Sequence, residues 1–132
     1  MRLSHASVYA VQALAHLGAA GADRPVTSAA IARARGIPAQ FLRKLLRRLV
    51  SARILQPHKG PLGGYRLAKP AARITLLEVL EAVEGPLRGE APLAVGSRDP
   101  LDARLQEVCA AAAGRVRRLL GRVRLADLSG RR

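Results

Sequence analysis

The chain has 132 residues, which suits one domain with an appended arm, and 49% of them are apolar, which excludes an intrinsically disordered protein. Its core must be aliphatic, because Tyr9, Phe41 and Tyr65 are the only aromatics. A formal net charge of +14, carried by 20 Arg and 3 Lys against nine acids, implies a polyanionic partner: nucleic acid, an acidic protein or an anionic membrane surface.

The charge is also segregated. Residues 24–77 hold 12 Lys or Arg and no Asp or Glu, and eight of the nine acids follow that window. Arg-rich codon usage accounts for part of the Arg excess but not for its placement, so the basic window reads as a surface. No apolar run reaches the ~18 residues needed to span a bilayer, so no membrane partner is expected. Met1-Arg2-Leu3-Ser4 opens no signal-peptide pattern, and a lone cysteine, Cys109, forms no intramolecular disulfide. Both points suggest a cytoplasmic protein.

In chain order, residues 5–17 predict a helix capped by Ser4, with Val8, Val11, Leu14, Ala15 and Leu17 on its apolar face. Residues 18–25 read as a loop. A short helix then starts at Thr27 or Ser28 and runs to about Ala34, where Gly36-Ile37-Pro38 breaks it. The third helix, residues 38–51, carries Phe41, Leu42, Leu45, Leu46, Leu49 and Val50 at helical spacing. Gln40, Arg43, Lys44, Arg47 and Arg48 occupy its other face. Two helices across a Gly-containing turn, the second exposing bases, form the helix-turn-helix pattern, although an ordinary amphipathic helix would share this spacing.

The segment that follows favours the first reading. Residues 54–57 and 64–67 predict two short strands around His58-Lys59-Gly60-Pro61-Leu62-Gly63, a Gly- and Pro-rich hairpin tip. A basic-tipped hairpin directly after a basic helix is a wing, able to follow a phosphate backbone or enter a minor groove. Thr75 with Glu78 forms a capping box for a further helix ending near Gly85-Pro86. Residues 86–99 have linker composition: a disordered loop, a small-ligand site or a docking point for a protein effector. Asp99 and Pro100 then open a long helix. Its stripe of Leu101, Leu105, Val108, Ala112, Val116, Leu119 and Val123 exceeds what one small domain needs and suits burial against a second subunit.

The run Val26-Thr27, Ile31-Ala32, Gly36-Ile37-Pro38, Leu42, Leu45-Leu46, Leu49, then Gly60-Pro61, Gly63-Gly64-Tyr65, Leu67, Ile74-Thr75-Leu76 and Glu84-Gly85 resembles the Rrf-two family of winged-helix regulators (IscR/NsrR/CymR-like). Met1-Arg2-Leu3-Ser4 and Leu125-Ala126-Asp127-Leu128 match it as well. The resemblance spans nearly the whole chain. It implies a mainly α fold, with a winged helix-turn-helix over residues 1–86, a linker over 87–99, and a dimerisation helix and tail over 100–128. It further implies a homodimer that binds double-stranded DNA at an inverted repeat, as a transcriptional regulator and, like members of the family, a repressor. The DNA contacts expected of such a fold are Thr27, Ser28, Ala39, Gln40, Arg43, Lys44, Arg47, Arg48, His58, Lys59, Gly60 and Pro61.

Several members of the family hold an iron–sulfur cluster on three cysteines and a fourth ligand. Aligned through Leu105 and Val108, those positions are Ala91, Ser97, Ala103 and Gln106, and a fourth-ligand position on the first helix is Val8. None is a credible iron ligand, so no cofactor is expected and the signal is of another kind. Cys109 reads either as a small buried hydrophobe or as a redox-sensing thiol. His5, His16 and His58 are scattered and give no metal-ligand spacing. Arg43-Lys44 replaces the Glu-Gln pair that the family often has on the recognition helix, which suggests an operator richer in guanine.

Two other non-enzymatic readings compete. An RNA- or ribosome-binding winged helix would share the charge, but the chain lacks an aromatic platform for unpaired bases. A protein-interaction module without DNA binding conflicts with the intact basic face. An enzyme is not expected: no nucleophile, base and orienting trio is present, and no helix or Lys-Ser/Thr pair follows Gly63-Gly64 to make a phosphate loop.

Overall fold

A computed structural model describes residues 1–21, 23–61 and 63–129. Helix α1 (His5–Ala20) starts at Ser4, whose hydroxyl oxygen accepts the Ser7 N–H at 3.1 Å. It buries Ser7, Ala10, Ala13, Leu14 and Leu17 on one face. The helix passes through Gly18 to Ala20, three residues into the segment expected to be loop. Ala19 and Ala20 are strong helix formers, and one glycine costs only about 1 kcal/mol.

Helix α2 (Ser28–Arg35) is capped by Thr27, whose Oγ1 accepts from the Ala30 N–H at 3.1 Å. Helix α3 (Ala39–Ser51) follows the turn and buries Leu42, Leu45, Leu46 and Leu49. Strands β1 (Leu55–His58) and β2 (Gly64–Leu67) pair antiparallel, Leu55 with Leu67 and His58 with Gly64. The first strand therefore begins one residue later than expected. Ile54, fully buried, instead donates to the Leu49 carbonyl and accepts from Ala68, fastening the wing to the end of α3. Of the expected hairpin tip, Leu62 lies outside the described residues.

A single 3-10 turn (Ala71–Arg73) leads to α4 (Leu76–Glu84), which has the expected capping box: Glu78 N–H to Thr75 Oγ1 at 3.1 Å and Thr75 N–H to Glu78 Oε2 at 2.9 Å. Helix α5 (Pro100–Leu120) is capped by Asp99, whose carboxylate accepts from the Leu101 N–H at 2.9 Å. A short α6 (Leu125–Leu128) ends the described chain.

One aliphatic core joins these elements: Leu14 and Leu17 of α1, Ile31 of α2, the four leucines of α3, Ile54, Ile74, and Val79 and Val83 of α4. The tail belongs to it as well. The Leu125 side chain is buried there, its N–H donates to Ile74 and the Val123 carbonyl accepts from Leu76, both at 2.8 Å. The long helix thus ends at Leu120 rather than continuing through Val123. Past that point the chain turns back and binds the α4 entry by backbone hydrogen bonds.

Candidate nucleic-acid interface

The amphipathic split of α3 sets the interface. With its leucines held in the core, Gln40, Arg43 and Arg47 follow one another at spacings of three and four on the exposed face, with Lys44 beside them. Among the described residues, Gln40, Arg43, Lys44 and Arg47 make no hydrogen bond or ion pair within the chain. Their donors remain available to an outside acceptor. The start of the helix is fixed by Phe41, whose ring meets Tyr9 of α1 edge-on, with centroids 5.7 Å apart. Ala39 lies exposed at the first position of α3.

The wing stands next to the start of α2. Thr27, Ser28, His58, Lys59, Gly60 and Pro61 line one open groove between them. Gly64, which sequence reading placed at the start of the second strand, makes this approach possible. Tyr65 exchanges two backbone hydrogen bonds with Val26, at 2.8 and 2.9 Å. A Cβ on Gly64, at φ +144°, would stand 2.5 Å from the Val26 carbonyl. Only a residue without a side chain allows the wing to join the segment leading into α2.

Arg48 is placed otherwise than its neighbours. Its Nη1 donates to the Val83 carbonyl in the last turn of α4 at 2.6 Å, so this base of the expected DNA face turns towards the body of the protein.

Helix α5 presents the second surface. Leu120 is its one buried residue among those described, while Leu101, Leu105, Val108 and Leu119 are exposed, as is Ala112. Val116 is half-buried, and Val123 lies beyond the helix in the returning segment. The helix is tied to the body by an ion pair between Arg117 and Glu81, whose carboxylate also accepts from the Leu87 N–H at 2.8 Å.

Comparison with known proteins then decides the class. Residues 3–131 match the Rrf2 (Rrf-two) family, described as an iron-dependent transcriptional regulator. Rv1287 of Mycobacterium tuberculosis strain H37Rv, named as an HTH-type transcriptional regulator, is 35% identical over 133 residues, covering 98% of this chain and 82% of that one. The chain belongs to the Rrf2 family. It is a DNA-binding transcriptional regulator of that family, not an enzyme. The HTH-type regulator IscR of Cereibacter sphaeroides is 36% identical over 86 residues, 64% of this chain and 56% of that one. Among solved structures, CymR, the global cysteine regulator of B. subtilis, superposes with a TM-score of 0.79 at 21% identity, covering 98% of this chain and 96% of that one. T. potens IscR gives 0.74 at 23%, covering 97% and 85%. The shared fold is the winged helix with a long C-terminal helix.

The aligned ligand positions Ala91 and Gln106 do come together, but through an amide and not a metal-binding set. The Ala91 N–H donates to Gln106 Oε1 at 3.0 Å, and Gln106 Nε2 donates to the Gly89 carbonyl at 2.6 Å. Gly89 lies so close to the Cys109 carbonyl and to the Ala110 Cα that a Cβ there would collide with the α5 backbone. Ser97 hydrogen-bonds Asp102, and Ala103 offers only a methyl group. No group of three or more His, Cys, Asp or Glu among the described residues could hold a metal ion. Two methyls, a hydroxyl and an engaged amide do not fit an iron–sulfur cluster. Cys109 itself is half-buried where the loop crosses α5. Sequence reading missed the Gln106 clamp, since a glutamine reaching backbone leaves no pattern in spacing.

Among the described residues, no helix is long and apolar enough to cross a membrane.

Proposed function

We propose that this Rrf2 regulator acts as a homodimer on an inverted-repeat DNA operator, as a repressor whose signal is not an iron–sulfur cluster. The observation that carries the reading is the uncovered row of Gln40, Arg43 and Arg47 on α3, next to the groove that Lys59 shares with the start of α2. A row on one helix face fits the major groove, and Arg in its first turns reaches guanine O6 and N7. Lys59 and His58 on the wing, with Thr27 and Ser28 beside them, meet phosphates and fix the register. Residues 1–86 serve as the DNA-binding domain and residues 100–120 as the dimer contact.

The dimer is supported by the exposed apolar face of α5, where Leu101, Leu105, Val108 and Leu119 are left uncovered by the described residues of the chain. Twofold symmetry then places two copies of α3 about one helical turn apart, roughly 34 Å. Repression follows the resemblance to repressors of the family. The poor fit of the ligand positions supports a signal other than iron.

Selection from a random duplex pool by the purified protein, followed by measurement of the stoichiometry of the bound complex, tests the reading. The expected result is an inverted repeat with guanine in each half-site, bound by two chains. Enrichment of no common sequence, or one chain on a single half-site, would reject it.

A further inference from the structure

Of the four cations on the recognition helix, Arg48 alone has a side-chain partner among the described residues. The carbonyl it reaches is one of the last four of α4, which have no acceptor role inside that helix. No basic residue of α4 itself stands in its last turn, so Arg48 supplies from another helix the positive charge that the negative end of the dipole favours.

The same turn of α4 is a junction. Glu84, next to Val83, accepts hydrogen bonds from the Ser4 and Ser7 hydroxyls at the start of α1. One turn earlier, Glu81 pairs with Arg117 of α5. Through Arg48 the recognition helix joins the turn that already holds α1 and the helix proposed for dimerisation. A charged hydrogen bond at 2.6 Å in this place constrains the angle of α3 more than a solvated arginine could.

We propose that Arg48 is a positioning residue. It holds the C-terminal half of α3 against α4, and so sets the pose in which Arg43 and Arg47 meet DNA, without itself contacting phosphate. The inference rests on the DNA-binding reading above, yet it separates from it in experiment.

Arg48→Ala, Arg48→Lys and Arg47→Ala are compared with wild type on the selected operator and on a scrambled duplex over a range of salt. Each phosphate neutralised by a side chain contributes about one unit to the slope of log K against log salt on any sequence. Arg48→Ala should leave both slopes unchanged and lower the ratio of operator to scrambled affinity, by about tenfold for a missing charged hydrogen bond. Arg48→Lys, still able to donate to Val83, should restore most of that ratio. Arg47→Ala should instead make both slopes shallower. A shallower slope on both duplexes with an unchanged ratio for Arg48→Ala would overturn the proposal. Amide hydrogen exchange of the free protein gives a DNA-independent readout: Arg48→Ala should speed exchange over residues 83–87 and Arg47→Ala should not. Unchanged exchange in Arg48→Ala would overturn the proposal even if the wild type selects no operator, an outcome that would defeat the DNA reading by itself.

Discussion

The dimer face allows a quantitative test through Leu105 and Leu119, which are 45% and 62% exposed in the single chain. Roughly half of each side chain is then available for burial against a partner, about 1 kcal/mol of the ~2 kcal/mol that a whole leucine contributes. A twofold interface uses each position twice. The double substitution Leu105→Asp with Leu119→Asp therefore forfeits about 4 kcal/mol of apolar burial, and desolvation of the new carboxylates adds to it. By itself, 4 kcal/mol raises the dimer Kd by about a thousandfold. Sedimentation equilibrium over a wide concentration range reads this directly. Thermal stability measured on the dissociated chain should change little, because both side chains face solvent there. A variant with an unchanged dimer Kd would place the interface elsewhere and refute the reasoning from α5.

Other outcomes follow from single groups. The Ser4 and Ser7 hydroxyls hold the Glu84 carboxyl below its ordinary range, so its stabilisation is present at neutral pH and is lost as pH falls through that lowered value. Glu84→Gln should thus be less thermostable than wild type at pH 7, with the gap closing in acid; a gap independent of pH would contradict the assignment. Gly64→Ala forces a Cβ to within 2.5 Å of the Val26 carbonyl and should cost about 1–3 kcal/mol, read as a lower urea midpoint. Anaerobic reconstitution with iron and sulfide should yield protein without stoichiometric iron or visible absorption, and a bound cluster would show that other residues supply ligands.

Much of the fold is legible in local chemistry. The stripe of Leu42, Leu45, Leu46 and Leu49 defines α3 because its period is that of a helix with one buried side. Thr75 with Glu78, and Asp99, announce helix starts because their side chains accept from backbone N–H groups within a few residues, and Pro100 because it has no N–H to leave unpaired in the first turn. What escapes is what depends on distant partners. Val123 continues an apolar pattern that suits a helix, yet its backbone bonds Leu76 and ends the helix early. Leu125 looks like a tail residue and lies in the core. Arg48 shares the spacing of a DNA-facing arginine, and only the placement of the Val83 carbonyl, 35 residues away, reveals its different partner. Gly64 and Gly89 matter for the side chains they lack, which periodicity cannot register.

The central claim is that α3 reads base sequence while the wing supplies charge and register. It is tested most directly by Arg43→Ala and Lys59→Ala, with affinities measured on the selected operator and on a scrambled duplex at several salt concentrations. Removal of a bidentate guanine interaction should cost Arg43→Ala ~1–3 kcal/mol on the operator and little on the scrambled duplex. Lys59→Ala should weaken both duplexes alike and make the salt slope shallower by about one for each phosphate the lysine no longer neutralises. Equal losses on both duplexes for Arg43→Ala, with a changed sequence preference for Lys59→Ala, would contradict the account.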